Sequence, residues 1–115
     1  WKANGGTTAS NTNGNITSTV QANTDAGFSI VSYGADDNTD ADTVGHGLSK
    51  VPEVIMIKNR SNANGWAVYH HAVASDPETD KLRLDQDYAV VDSADFYIMM
   101  QELIILHLEK KIMNI

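Results

Sequence analysis

The side chains best placed to do chemistry in this sequence are Asp36, Asn38, Asp40 and Asp42, four oxygen-bearing residues at alternate positions. Such spacing can wrap Ca²⁺, a hard cation that takes about six to eight oxygen ligands. A helix–loop–helix calcium site would also need glycine at the sixth place and glutamate at the twelfth. Those places hold Ala41 and Gly47, and no helical pattern flanks them. The ordinary reading is a solvated acidic loop, and calcium is its functional one.

Histidines stand at 46, 70, 71 and 107. On a strand, His70 and His71 face opposite sides and do not readily chelate one ion. His46 sits between Gly45 and Gly47, where a tight bend with positive φ is expected. The run from Gly45 to Lys50 lacks the Gly-Lys-Ser/Thr ending of a phosphate loop. No nucleophile-elbow sequence occurs, and no pair of carboxylates is singled out for acid–base work. The expectation is a non-enzymatic chain without a cofactor. Tyr33, Trp66 and Tyr69 remain as ligand-binding candidates, because an aromatic face can stack on a sugar ring. Aromatics on strands are more often core, and that reading is strongest for Trp66 and Phe28.

Composition bounds the rest. At 115 residues, with 42 % hydrophobic and 20 % charged, the chain can build one modest core. A net charge of −7 repels phosphate backbones, and no cluster of Lys or Arg offsets it. Nucleic acid is therefore not an expected partner. Neither is a membrane, since the apolar run 98–108 is about half a span and contains Gln101, Glu102 and His107. Cysteine is absent, which excludes disulfides and thiolate metal sites. The first ten residues have neither the basic start nor the apolar run of a signal peptide, and the chain opens without Met. It reads as a piece of something longer.

The elements that position these residues read as strands. Over 16–22 the residues alternate, with Ile16, Ser18, Val20 and Ala22 on one face. Over 28–33, Phe28 and Ile30 point one way while Val31 and Tyr33 point the other. The continuous apolar run 54–57 predicts a strand buried on both faces. The segment 59–65 reads as a hairpin loop leading to a partner strand over 66–71, with short strands following at 81–84 and 88–91. Residues 1–15 show only two turn signals, Gly5-Gly6 and Asn13-Gly14. Short strands between turn-rich gaps predict an all-β, antiparallel β-sandwich or jelly-roll-like module over 1–92, incomplete as it stands. From 93 the composition switches to Leu, Ile, Met, Glu and Lys, and predicts an apolar helix over 94–113, capped by Asp92 or Ser93.

Several blocks carry a resemblance. Trp1-Lys-Ala-Asn-Gly-Gly6, Asn13-Gly-Asn-Ile-Thr-Ser-Thr-Val-Gln-Ala-Asn23 and Ala26-Gly-Phe-Ser-Ile-Val-Ser-Tyr33 come first. Thr43-Val-Gly-His-Gly-Leu48, Pro52-Glu-Val-Ile-Met-Ile-Lys-Asn-Arg-Ser61 and Gly65-Trp-Ala-Val-Tyr-His70 follow in the same order. Together, over about residues 1–90, the chain resembles an uncharacterised β-rich domain of marine phage virion proteins of the tail-fibre type. The loop 35–42 is longer and more acidic than that pattern expects. The tail from about Tyr97 departs from it, as a frame change or an artificial gene end would produce.

The resemblance implies a virion-surface module serving structure or host attachment, and homo-oligomeric in its parent protein. Its implied partners are other virion proteins or a host-surface glycan, and it supplies no catalytic residue. The alternative expectation is a lectin-like carbohydrate-binding domain assisted by Ca²⁺. A glycan-depolymerising enzyme fragment is the weakest of the three.

Overall fold

The computed structural model describes residues 6–34, 43–77 and 79–92. The acidic loop with Asp36, Asn38, Asp40 and Asp42, and the segment 93–115 with its expected helix, lie outside the described residues. Seven strands form, and no helix does among the described residues. They make two antiparallel sheets of three and four strands, so the all-β expectation holds and the content is that of a β-sandwich-like fold. Contacts divide the chain into two compact units that meet in sequence at Val51 and Pro52.

In the first unit, β1 (Ala9–Asn11), β2 (Ser18–Asn23) and β3 (Phe28–Ser32) pair in sequence order. Val20 lies opposite Ala9 on one side and Val31 on the other, so these three share a face. Ser18 and Val20 are buried on that face, as the alternation of 16–22 predicts, while Thr19 on the other face is exposed. Phe28 and Ile30 are exposed, and Ser29 and Val31, which alternate with them, are half-buried. The Phe28 side chain is thus not core: β3 is an edge strand, and Phe28 sits on the outward face at the strand's first position. A turn joins β2 to β3, with Gly27 at φ 65° and the Asn23 Oδ1 accepting from the Ala26 amide at 3.0 Å.

What covers the inner face is a segment without strand pairing of its own beyond one bridge. Ile16 and Val44 form a parallel bridge, and the Ile16 amide donates to the Thr43 carbonyl at 3.0 Å. Val44 is 2 % exposed, the largest fully buried side chain described, and with Val20 it is the core of this unit. The Ser18 hydroxyl, also buried, donates to the Gly45 carbonyl at 3.4 Å. A Cβ on Gly14 would fall 2.0 Å from the Thr43 carbonyl oxygen, so only glycine lets the two segments approach this closely. Farther along, the bend expected around His46 uses one positive φ, not two: Gly47 has φ 71°, and Gly45 is not in that region. Gly45 instead packs against the Asn11 side chain, which a Cβ would strike at 2.4 Å.

The second unit is a meander of β4 (Val54–Ile57), β5 (Ala67–His70), β6 (Asp80–Arg83) and β7 (Val91–Asp92), each antiparallel to the next. The hairpin loop expected at 59–65 is present. The Asn59 Oδ1 accepts from the Ser61 and Asn62 amides at 2.8 and 3.1 Å, and the Lys58 ammonium donates to the Asn64 carbonyl. At its far end the Trp66 amide donates to Asp85 Oδ1 at 3.3 Å. Val68 and Tyr69 are buried at the middle of β5, the natural place in a sheet where β5 has neighbours on both sides.

Three expectations fail here. The run 54–57 is not buried on both faces, since Val54 and Met56 are exposed, Met56 by 56 %. The apolar run promised a central strand, but β4 is at the edge and only Ile55 and Ile57 are half-buried. Trp66 is 39 % exposed rather than core, because it precedes β5 beside the loop. The strand expected at 88–91 shrinks to Val91–Asp92, one position later, leaving Tyr88 exposed.

Candidate functional site

The aromatic candidates are divided between the two units. Tyr33 follows β3 in the first unit, whereas Trp66 and Tyr69 belong to the second. Tyr69 lies opposite Ile55, and Val68 opposite Met56 and Leu82. By strand alternation Trp66 continues the Val68 face, so Trp66 and Tyr69 point to opposite sides of the sheet. Tyr69, at 7 % exposed, has no open ring face to offer a sugar. Tyr33 and Trp66 keep about equal exposure but stand on separate sheets.

The histidines behave differently from an extended pair. β5 ends at His70, and the chain turns at once, so the His70 and His71 rings stack with centroids 5.2 Å apart and planes 23° from parallel. The turn is held by the Val73 amide donating to the His70 carbonyl and the Ala72 amide donating to His70 Nδ1, both at 3.1 Å. His46 Nδ1 likewise accepts from the Leu48 amide, at 3.0 Å. Among the described residues no group of three or more His, Asp or Glu has the geometry to hold a metal ion.

One carboxylate has an unusual environment. Asp80 is 7 % exposed, opens β6, and lies directly opposite Asp92 on β7. Burial raises its pKa above the ordinary 3.8, and the charges of Asp76 and Asp92 raise it further. Three acids of like charge, one of them buried, repel one another here.

The described surface does contain a groove, and it lies in the first unit. Its volume is about 380 Å³, within the usual range for small-molecule sites. The hydroxyl residues Thr7, Ser10 and Thr12 line it together with the amide residues Asn11 and Asn13. Ala9, Val20 and Ala22 provide an apolar strip along the sheet, and Gly47 closes the opposite side. No residue of the lining carries a charge or titrates.

The groove has clear structural causes. β1 and β2 are joined by a tight connection in which the Asn13 amide donates to Asn11 Oδ1 at 2.8 Å. The positive φ of Gly47 carries the covering segment to within 2.8 Å of Val20 Cγ1, measured to the position of an added Cβ. The depression is what remains between that bend and the outer strand. Reading the sequence as turns alone missed β1, and with it this feature. The available signal was Asn13-Gly14, which behind a short polar strand marks a hairpin.

The chain is thus an all-β protein of two antiparallel sheets, with a neutral, polar groove beside the edge of the smaller one. It belongs to the family described as Domain of unknown function DUF7483, which matches residues 1–104. The match runs past Tyr97, so the family pattern extends farther into the apolar segment than composition indicates. No curated protein and no solved structure matches the chain.

Proposed function

We propose that this domain is a non-catalytic structural or host-attachment module of a phage tail fibre or related virion-surface protein. The ordered sequence blocks that resemble such proteins motivate the reading. The observation that carries it is architectural. Within each sheet every strand pairs with the next in sequence, so the described chain forms two short meanders with polar connections and a neutral groove at the surface. Such a scaffold works by presenting a fixed surface, with no moving part and no proton to transfer.

A lectin-like role is the second reading, favoured by the groove. The reading of Ca²⁺ assistance rests on Asp36, Asn38, Asp40 and Asp42, outside the described residues. Immunogold labelling with an antibody to this domain tests the leading reading on virions from the source sample. Gold on tail or surface projections supports it. Virions without label, alongside antigen confined to the soluble cell fraction, overturn it.

A further inference from the structure

We propose that the groove beside β1 is a binding site for a neutral saccharide. The proposal deepens the attachment reading by naming the ligand class, and its chemistry is carried by the lining.

A charged ligand is excluded by the groove's own composition. None of the described residues that line it can neutralise a carboxylate, sulfate or ammonium group, and a partly desolvated charge without a partner is costly. The net charge of −7 adds a long-range repulsion against acidic glycans. An apolar ligand fits no better, because it would strip water from hydroxyls and amides without replacing the lost hydrogen bonds. Sugar hydroxyls both donate and accept, as do Thr7 and Thr12, while the Asn11 and Asn13 side-chain amides hold both donor and acceptor atoms. The exposed Ala9 and Ala22 methyls suit the C–H face of a pyranose ring.

The site is also held in place. The β1–β2 register sets one wall. The Asn11–Asn13 turn holds the end of that wall, and the Gly47 bend is fixed by its close approach to Val20 and Ala22. Preorganised polar groups reduce the ordering cost of binding. No aromatic ring stands among the described residues that line the groove, so a single site is weak, on the order of millimolar, and several copies in one assembly supply the avidity.

The test is an amide NMR titration of the intact chain with maltotriose, cellotriose, mannotriose and N-acetylchitotriose, with trigalacturonate as the acidic control. At least one neutral trisaccharide is expected to shift the amides of residues 7–13, 20, 22 and 47, and trigalacturonate is not. Thr7→Ala combined with Thr12→Ala, both exposed, should weaken that binding about tenfold while shifts elsewhere show an intact fold. The proposal is overturned if no neutral sugar moves these amides, if the shifts centre on Trp66 or Tyr33, or if trigalacturonate binds as well. Gold on virions together with a silent titration removes the saccharide site alone and leaves the attachment reading standing.

Discussion

Asn15 and Thr43, 28 positions apart, hold each other by three hydrogen bonds. The Asn15 amide donates to Thr43 Oγ1 at 3.0 Å, and Thr43 Oγ1 donates to Asn15 Oδ1 at 2.8 Å. The third runs from the Thr43 amide to Asn15 Oδ1. This clamp delivers Val44 onto the inner face of the three-stranded sheet, where it becomes the largest fully buried side chain described. A long-range pair of small polar residues therefore sets the position of the core.

Breaking the clamp should cost more than its exposure implies. Asn15→Ala removes both bonds to Oδ1, and Thr43→Val removes both bonds to Oγ1; each is expected to lower unfolding free energy by about 1–2 kcal/mol. The bond between the two side chains is common to both losses. The double variant should therefore fall short of the sum by about 0.5–1 kcal/mol. Urea denaturation of the four proteins measures this, and strict additivity would show that the side chains do not interact.

Asp80 makes stability depend on pH in the acid-favouring direction. Its folded pKa is raised, so the folded chain binds the proton more tightly than the unfolded one. Stability from this group is full below its ordinary value of 3.8 and declines as pH rises through the folded value. At neutral pH the buried charge opposes Asp92 and Asp76. Asp80→Asn is expected to stabilise the protein at pH 7 and to flatten this decline, and Asp92→Asn to do the same to a smaller degree, since burial is the leading cause. Thermal midpoints compared between acid and neutral pH decide it; a variant less stable than the parent at pH 7 refutes the assignment.

Glycine substitutions should separate close approach from mere flexibility. Gly14→Ala meets the Thr43 backbone, which cannot give way without releasing the clamp, and Gly47→Ala meets both a positive φ and Val20. Each should destabilise by about 1–3 kcal/mol. Gly34 has open space around the added Cβ and an ordinary φ, so Gly34→Ala should be neutral or stabilising by up to about 1 kcal/mol. Equal effects at all three positions, read by chemical denaturation, would contradict the geometry.

Aromatic truncations should follow burial. Tyr69→Ala empties the buried centre of β5 and is expected to cost about 3–4 kcal/mol. Trp66→Ala, despite the larger side chain, should cost about 1 kcal/mol or less, as should Met56→Ala on the exposed edge strand. A reversed order of melting temperatures would place Trp66, and not Tyr69, in the core.

Local alternation was enough for much of this fold. The faces of β2 and β3, the loop 59–65, the Gly47 bend and the all-β class follow from side-chain period and turn chemistry, which neighbouring residues impose on one another. Other properties depend on which strand becomes a neighbour. β1, Ala9–Asn11, has no hydrophobic alternation and exists because β2 offers it a ladder. The exposure of Val54 and Met56 follows from β4's place at an edge, which a run of apolar residues does not encode. Tyr69 and Trp66 exchange the burial their sizes suggest because one sits mid-strand between two neighbours and the other beside a loop. The groove is the extreme case: the stretch 7–13 and Gly47 become one surface only after Thr43 has been fastened to Asn15. Tertiary contact alone decided that, since no local preference of either segment points toward the other.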